Sequence, residues 1–413
     1  MNIWIYNHYA VGPNSNGITR HFDLAKYLIK KGHNVTIFAS SFNHQALKEE
    51  HLKDSSEKYT EKDYEGVKFV WLKTFPYQNN NWRRVINMLN YTIKAYLYGE
   101  KRKDNPDIVL GSLAHPLAAY VGYLIAKRKK ALFYFEERDL WPQSLIDLGK
   151  MSPKNPAIIV LSRLEKYLYK NSQRIILLFD KAINYVESRG ITKNKVVYLP
   201  NGVDFTRFDK ITELPKDITK KLSDLEDKII VAYTGTLGLA NNIDTVLDAA
   251  KLIMNANPQV HFIFVGGGPQ KQHLIKRKEK EKIDNVTFFD PLPKEYIPVI
   301  LKKTNIGLLP LKESPVFKWG ISPNKLYDYM AASLPVLLMC DLDDTPVEKY
   351  KAGKVFKKEF VHNLVNFLRN VNLEELHIMG ENGYKYVHEN HDWELLANNL
   401  ERIMLEDAEK LVK

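Results

Sequence analysis

The strongest constraint on the fold of this chain is the alternation of short strand-like runs with amphipathic helical segments. Residues 1–6 are mostly β-branched and aromatic, residues 18–31 carry an apolar helical face that ends at Gly32, and residues 34–39 again resemble a strand. Strands that are joined through helices form mostly parallel sheets with helices on both faces, so the expected fold class is α/β. Further strands are predicted at 67–72, 107–111, 131–136, 174–179, 195–199, 228–234, 260–265, 286–288, 305–309 and 335–339.

The alternation starts again after Pro200-Asn201-Gly202, which divides the chain into residues 1–199 and residues 200–392. Two domains also follow from the length of 413 residues, since a domain usually contains about 150 residues. We therefore predict two Rossmann-like domains, each built around its own parallel sheet.

The composition is that of an ordinary globular protein, with 45% hydrophobic and 26% charged residues, and it excludes a disordered or collagen-like chain. The single cysteine, Cys340, excludes an intramolecular disulfide and fits a reducing compartment. The first residues lack the basic and apolar regions of a signal peptide, and no run approaches the roughly 18 apolar residues of a membrane helix. A cytoplasmic location is therefore expected.

Positive charge is concentrated in the first half of the chain. Residues 1–200 contain 31 Lys and Arg against 18 Asp and Glu, whereas residues 201–413 contain 29 against 31. An anionic membrane surface, a phosphate-bearing substrate, nucleic acid or a merely solvated surface would each account for this excess. Nucleic acid is not expected as a partner, because the aromatic residues do not alternate with basic residues on any recognisable module.

Loops that follow predicted strands are candidate sites, because ligands of parallel sheets bind outside the carboxyl ends of the strands. Residues 7–17 join the first strand to a helix, and Gly17 would let backbone N–H groups approach a phosphate; a plain turn is the alternative. The loop 266–269 fails the GxGxxG pattern at Lys271, and no GxxxxGK[ST] motif is present. A dehydrogenase and a P-loop enzyme are therefore disfavoured.

The segment 319–332 combines several features of an anion site at the start of a helix. Ser322 is a suitable N-cap, Pro323 suits the first helical position, and the N–H groups of that turn lie beside Lys325. Asp328 follows on the same helix, where its carboxylate would accept hydrogen bonds from sugar hydroxyls. A capped surface helix with ordinary charges is the alternative.

Four consecutive charged residues stand at the end of an otherwise apolar strand: Glu136, Glu137, Arg138 and Asp139. Unpaired buried charges are costly, so they either form salt bridges at the strand end or present Arg138 to a phosphate.

Other catalytic motifs are absent from the sequence. The chain contains no HExxH, GxSxG or paired CxxC motif, and the acidic residues 341–344 have no histidine nearby. His8, His21, His33 and His115 are interpreted as surface or core residues rather than catalysts. No zinc or serine-hydrolase site is predicted.

Short landmarks occur in a specific order: Asn16-Gly17, Arg20-His21-Phe22, Lys31-Gly32-His33-Asn34-Val35, Arg138-Asp139-Leu140-Trp141, Pro200-Asn201-Gly202-Val203-Asp204, Gly235-Thr236-Leu237, Val265-Gly266-Gly267-Gly268-Pro269 and 322–332. With these landmarks the chain resembles glycosyltransferase family 4, retaining enzymes of the GT-B fold, over almost its full length. The branch that it resembles makes bacterial surface polysaccharides and is similar to the O-antigen and capsule L-fucosamine transferases. The resemblance implies two domains facing across a cleft, with the last helix, 393–413, joined to the first domain.

The resemblance also implies that the second domain holds a nucleotide-sugar donor and the basic first domain holds an acceptor. Asp328 corresponds to the family's ribose-binding glutamate, residues 321–325 would hold the diphosphate, and the base would rest near Leu292. Arg138 and Asp139 occupy the place of the family's His-Asp pair, and with Lys325 they are the predicted catalytic residues. The predicted donor-binding residues are Asn16, Gly17, Thr236, Asn241, Leu292, Ile321, Ser322, Asn324 and Asp328.

Three positions depart from the family pattern. Gly320 replaces a glutamate that usually precedes the ribose carboxylate by eight residues, and Thr236 and Asn241 replace the Arg and Lys of the phosphate clamp. The charge of the diphosphate would then be balanced by Lys325, by Arg138 and by helix dipoles.

The predicted reaction transfers a hexose, N-acetylated or deoxy, from a UDP-sugar to a polyprenyl-diphosphate-linked saccharide, with retention and without a metal or other cofactor. O-antigen or capsule synthesis is the expected context. Residues 82–98 form a basic, aromatic helical segment that would contact the inner face of an anionic cell membrane; a core helix is the alternative. Two other functions stay open, a non-hydrolysing UDP-sugar 2-epimerase and a catalytically silent partner of another transferase.

Overall fold

The computed structural model describes residues 1–13, 15, 17–54, 56–79, 81–113, 115–210 and 212–412. The chain divides into two compact units. The first comprises Met1–Pro200, Pro315–Ile321 and Trp393–Lys413, and the second comprises Asn201–Ser314 and Ser322–Asp392.

The first unit contains an eight-stranded sheet, a short hairpin and helices on both faces of the sheet. Its strands are β1 (Asn2–Tyr6), β2 (Asn34–Ser40), β3 (Phe42–Asn43), β4 (Lys48–Glu49), β5 (Tyr59–Tyr64), β6 (Val67–Leu72), β7 (Ile108–Ser112), β8 (Leu132–Glu137), β9 (Arg174–Leu177) and β10 (Val196–Tyr198). Its first helices are α1 (Arg20–Lys30), α2 (Trp82–Lys101), α3 (Pro116–Lys129), α4 (Gln143–Asp147), α5 (Pro156–Asn171) and α6 (Ala182–Ser188).

The second unit contains a six-stranded sheet and nine helices among its described residues. The strands are β11 (Ile229–Thr234), β12 (Val260–Val265), β13 (Val286–Phe289), β14 (Ile306–Pro310), β15 (Val336–Met339) and β16 (Gly353–Phe356). The helices are α7 (Thr206–Asp209), α8 (Lys216–Ser223), α9 (Ile243–Ala256), α10 (Lys271–Glu281), α11 (Ile297–Lys302), α12 (Asn324–Ala331), α13 (Pro346–Lys349), α14 (Phe360–Arg369) and α15 (Leu373–Asn390). The last helix of the chain, α16 (Trp393–Val412), belongs to the first unit.

Both sheets have a point at which the order of the strands reverses. The first sheet has the order β10-β9-β8-β7-β1-β2-β6-β5, and only the edge pair β5–β6 is antiparallel. The second sheet has the order β13-β12-β11-β14-β15-β16 and is parallel throughout. The α/β prediction is confirmed. Ligands of such sheets bind at the carboxyl edge beside the reversal, which lies between β1 and β7 in one sheet and between β11 and β14 in the other.

Strand β1 shows why the first sheet is covered on both faces. Ile3 and Ile5 pack with apolar residues of α1 and α16, whereas Trp4 and Tyr6 pack with α2 and α3. Neighbouring side chains of a strand point to opposite faces, so an uninterrupted apolar strand needs a hydrophobic layer on each side.

The division of the chain differs from the predicted one in residues 315–321, which pack with the first unit instead of the second. The indole of Trp319 lies edge-on to Tyr185, with 5.2 Å between ring centroids, and its N–H donates to Asp147 over 3.0 Å. Lys318 pairs with the same carboxylate at 3.0 Å. No helix among the described residues is long and apolar enough to cross a membrane.

Candidate functional site

Two loops are packed closely at the carboxyl end of β11, beside the strand-order reversal of the second sheet. The amide of Leu237 donates to Gly267 O over 2.7 Å, which joins the loop after β11 to the loop after β12. Gly266 has φ +155°, and a Cβ there would lie 1.9 Å from Gly235 O. Glycine is required at this position because one backbone lies directly against the other.

Lys325 is the half-buried cation of this edge. Its ammonium donates to the Tyr233 hydroxyl over 2.8 Å and lies 4.1 Å from the centroid of that ring. A Cβ on Gly235 would lie 2.9 Å from Lys325 Nζ, so the glycine leaves room for the lysine side chain. Burial lowers the pKa of Lys325 to about 7. Within the described ranges no carboxylate forms an ion pair with it, and an anionic ligand would supply the missing counter-charge.

Helix α12 carries Lys325 and is attached to β11 through Tyr329. The backbone N–H of Thr234 donates to the Tyr329 hydroxyl over 2.9 Å. A Cβ on Gly307 would lie 2.5 Å from the ring of Tyr329. The lack of a side chain at Gly307 therefore leaves room for this ring. Asp328 is half-buried and lies three residues after Lys325, on the neighbouring part of the same helical face. The helix therefore brings a cation and a carboxylate together at the ligand edge.

The predicted cap of this helix is wrong. Pro323 occupies the N-cap position and α12 begins at Asn324, with no capping side chain. The Ser322 hydroxyl instead accepts the N–H of Asn201 at 3.2 Å and lies 3.2 Å from the Tyr327 hydroxyl. Asn201 also donates from its amide to Ser322 O over 2.6 Å. The serine therefore holds the segment in front of α12, and the first turn of the helix lacks a side-chain cap.

Asn201 is in turn held by His391. Nδ1 of His391 lies 2.9 Å from Asn201 O, and its ring stacks on Tyr327 with 4.0 Å between centroids. Burial lowers the pKa of His391 to about 4, so the ring is neutral near pH 7. Asn201 belongs to one of the sequence landmarks, but no role was predicted for Asn201, His391 or Tyr233.

The remaining predicted donor residues of the second unit surround the same edge. Thr236 is exposed, and its carbonyl accepts hydrogen bonds from the Tyr233 hydroxyl at 2.7 Å and from the Asn241 amide at 2.8 Å. Asn241 therefore shapes the loop after β11. Leu292 is half-buried and packs on the apolar cluster that contains Phe289.

Other predicted residues belong to the first unit or lie outside the described residues. Arg138, half-buried, and Asp139, exposed, follow β8, while Gly17, with φ +148°, precedes α1. Ile321 is half-buried and clusters with the first unit, and Asn16 lies outside the described residues. The contacts of these residues with a donor stay predictions.

Glu136, the first of the four charged residues at the end of β8, is paired inside the first unit. Its carboxylate accepts hydrogen bonds from Arg20 Nε at 2.8 Å and from the Ser112 hydroxyl at 2.6 Å, and it lies 2.7 Å from His21 Nε2. Burial alone would raise the pKa of Glu136, but His21 and Arg20 hold it well below its usual value. The salt-bridge interpretation is correct for Glu136, and His21 is a core residue.

The local backbone explains why glycine stands at position 320, where the family usually has a glutamate. Its φ is +101°, a conformation that side chains rarely adopt, and a Cβ there would lie 3.0 Å from Asp180 Oδ1.

Comparisons with known proteins agree with this fold. Residues 15–207 match the family described as Glycosyltransferase Family 4, and residues 216–385 match Glycosyl transferases group 1. The chain is 21% identical over 338 residues to the putative colanic acid biosynthesis glycosyl transferase WcaI of Escherichia coli K12, spanning 80% of this chain and 81% of that protein.

Two solved structures show the same architecture. Sucrose-phosphate synthase (tll1590) from Thermosynechococcus elongatus superposes with a TM-score of 0.70 at 15% identity, covering 98% of each chain. Anabaena Alr3699/HepE in complex with UDP and glucose superposes with a TM-score of 0.65 at 13% identity, covering 98% of this chain and 100% of that one. The chain is therefore a glycosyltransferase of the GT-B fold, with one domain from each of the two matched families.

Proposed function

We propose that this glycosyltransferase transfers a hexose, N-acetylated or deoxy, from a UDP-sugar to a polyprenyl-diphosphate-linked saccharide in the synthesis of a bacterial surface polysaccharide such as O-antigen or capsule. The observation that carries the donor assignment is the half-buried ammonium of Lys325, which has no carboxylate partner in the described ranges, at the carboxyl end of β11. A donor diphosphate would balance this charge. The similarity to WcaI, named for colanic acid biosynthesis, supports the polysaccharide context.

The proposed donor pose assigns one part of the nucleotide sugar to each predicted residue. Lys325 and the backbone of residues 321–325, at the start of α12, bind the diphosphate, because N–H groups at a helix start favour anions. Asp328 accepts hydrogen bonds from the ribose hydroxyls, and the base rests near Leu292. HepE, whose structure contains UDP and glucose, supports a uridine nucleotide as the donor.

In the proposed reaction the bond between the anomeric carbon and the diphosphate oxygen breaks, and the acceptor hydroxyl oxygen bonds to that carbon on the same face. The acceptor proton passes to an oxygen of the departing diphosphate. Positive charge that is already in place lowers the barrier, because negative charge accumulates on the leaving group. Lys325 supplies that charge in the second unit, and Arg138 and Asp139 are the proposed catalytic residues of the first.

We also propose that the reaction needs no metal ion, because Lys325 and the helix start take the role of a divalent cation on the diphosphate. We expect the transfer rate of the wild type to be unchanged by about 5 mM EDTA, which is enough to bind trace divalent ions. A rate that falls with EDTA and returns with Mg²⁺ or Mn²⁺ would reject this part of the proposal.

Membrane contact is proposed through the outer face of α2. Trp82, Val85, Leu89, Ile93 and Leu97 recur every three or four residues along the helix and are exposed, with Trp82 63% accessible. Arg83, Lys101 and Lys103 are exposed near the same helix. An apolar stripe with basic neighbours is typical of a helix that lies in the interface of an anionic bilayer, here the inner face of the cell membrane.

Vesicle flotation tests this contact. The protein should bind vesicles that contain phosphatidylglycerol and phosphatidylcholine. Binding should weaken in about 0.5 M salt, because exposed charges are then screened over about 5 Å. Leu97→Ser should weaken it, whereas the matched Leu252→Ser, which removes an exposed leucine of α9, should not. Equal binding by both variants contradicts the role of α2.

The donor site is tested by calorimetry with UDP, GDP, ADP and their sugars. Selective binding of a uridine nucleotide that is lost in Asp328→Ala supports the site, and Asp284→Ala, an exposed carboxylate, is the control. Release of UDP that requires an acceptor identifies a transferase. Conversion of the donor without acceptor would identify the 2-epimerase, and binding without turnover would identify the silent partner.

A further inference from the structure

Three segments at the boundaries of the second unit are joined by hydrogen bonds. The chain enters this unit at Asn201, enters it again at Ser322 after residues 315–321, and leaves it after Asp392. The side-chain amide of Asn201 donates to Ser322 O over 2.6 Å, and Asn201 O lies 2.9 Å from the ring of His391, the residue before Asp392. Asn201 therefore connects segments that are more than a hundred residues apart in the sequence.

His391 holds the backbone of Asn201 in place. A backbone carbonyl can only accept a hydrogen bond, so Nδ1 of His391 carries the proton and donates to Asn201 O. Nε2 of this ring, which is neutral near pH 7, then accepts from the Tyr386 hydroxyl over 2.8 Å. The N–H of Val203 donates to His391 O over 2.7 Å, and Val203 forms a parallel bridge with Asp392. Because both ring nitrogens and the backbone are engaged, His391 is a fixed support for Asn201.

The segment that Asn201 holds is the proposed diphosphate segment, residues 321–325. Ser322 is the first residue of this stretch in the second unit, since residues 315–321 pack with the first. Among the described residues no side chain caps α12, and Pro323 has no N–H to offer an anion. Neither a helix cap nor the preceding chain therefore sets the position of the remaining N–H groups within the second unit. Contacts from elsewhere in that unit must do so.

Asn201 makes two contacts with Ser322 that meet this need. Its amide donates to Ser322 O, and its backbone N–H donates to the Ser322 hydroxyl over 3.2 Å. Both residues are buried, so water does not readily replace these bonds. The first bond also engages a carbonyl whose negative end would repel a diphosphate if it turned toward the anion. Asn201 thus fixes the direction of the peptide group directly in front of α12.

We propose that Asn201, supported by His391, is a positioning residue for the donor diphosphate. It acts through Ser322 and does not touch the donor itself. By fixing the backbone of Ser322, it holds the N–H groups of residues 321–325 in the arrangement that binds the same anion as the ammonium of Lys325. The proposal deepens the proposed function and rests on it, because it requires a diphosphate at this segment.

Ligand-observed NMR titration with uridine and with UDP tests this role, since only UDP carries the diphosphate. Asn201→Ala should weaken the binding of UDP about 5- to 20-fold, as expected for a lost buried hydrogen bond, and that of uridine less than about twofold. His391→Phe keeps a ring on Tyr327 but removes both ring hydrogen bonds. It should weaken UDP binding only about two- to threefold, because Asn201 still reaches Ser322.

The matched control is Asn285→Ala. Asn285 is a similarly buried asparagine of the same unit, and its side-chain amide also donates to a backbone carbonyl, Ala250 O, over 3.0 Å. It stands at the amino end of β13, away from the carboxyl edge. The control should therefore lower the melting temperature and leave the affinity for UDP unchanged.

Unchanged UDP affinity in Asn201→Ala, or an equal loss of uridine and UDP binding, overturns the proposal. An equal loss of UDP binding in Asn285→Ala also overturns it, because any buried asparagine would then have the same effect. Melting temperatures of the same samples identify a variant that does not fold, and if Asn201→Ala is one, the same comparison is made with His391→Phe. A wild type that binds neither uridine nor UDP overturns the donor site as well, so the two failures are distinguishable.

Discussion

At the scale of single residues, the charge state of Lys325 controls the donor site. Its pKa of about 7, lowered by burial, means that donor binding above pH 7 must first add a proton to the neutral amine of Lys325. We expect the affinity for UDP-glucose to fall by up to about tenfold per pH unit above pH 7, until the pH reaches the raised pKa of the complex. UDP-glucose is suitable because its diphosphate does not titrate in this range. Calorimetry in buffers of different ionisation enthalpy measures the proton uptake.

Lys325→Met separates this effect from a general loss of the site. The variant should bind UDP-glucose about 10- to 100-fold more weakly at pH 6.5, as expected for a lost charge-assisted hydrogen bond, and its affinity should no longer depend on pH. Lys303→Met, which alters an exposed lysine after α11, is the matched control and should retain the wild-type profile. The same pH dependence in Lys325→Met would show that another group titrates.

Glu136 is a second residue whose effect is predictable, this time on stability. Its carboxylate is fully buried between Arg20 and His21, so Glu136→Gln leaves the guanidinium without its counter-charge. Breaking a buried pair in this way costs about 3–5 kcal/mol, which urea denaturation of the first unit should show. Glu100→Gln removes a more exposed pair with Arg128 and should cost less than about 1 kcal/mol. Equal losses in the two variants would contradict the network.

At the scale of elements, most of the parallel strands were predicted to within one or two residues because continuous apolar runs determine them. The parallel edge strand β16 was missed, since its four residues contain only two apolar side chains. The antiparallel edge strand β5 was missed, since its sequence is charged and half-exposed and has no apolar run. The cap at Ser322 was wrong because a tertiary partner, Asn201, engages the hydroxyl. Lys325 and Asp328 could be predicted as neighbours because both stand on one helix. The contact between His8 and His115 could not be predicted, since the two residues are 107 positions apart and only the order of the strands brings them together.

Helix α16 provides a prediction at this scale. Asp407 accepts hydrogen bonds from Arg174 Nε and Nη2, each at 2.7 Å, and from the Tyr134 hydroxyl at 2.8 Å, which attaches the helix to β8 and β9. Asp407→Asn should lower the free energy of unfolding of the first unit by about 2–3 kcal/mol in urea. Glu406→Gln, which alters only an exposed i,i+4 pair with Arg402, should change it by less than about 0.5 kcal/mol. No difference between the two would show that α16 is held by its apolar face alone.

At the scale of the whole molecule, each sheet has its own carboxyl edge beside a strand-order reversal: between β1 and β7 in the first unit, and between β11 and β14 in the second. Each unit also has its own hydrophobic core, so binding at one edge should protect that unit first. Hydrogen–deuterium exchange should therefore show that UDP slows exchange in β11 and α12. A polyprenyl-diphosphate-linked saccharide should slow exchange in the loops of the first unit, which is the unit expected to bind the acceptor. Protection of the first-unit loops by UDP alone would mean that the donor and acceptor edges have been assigned the wrong way round.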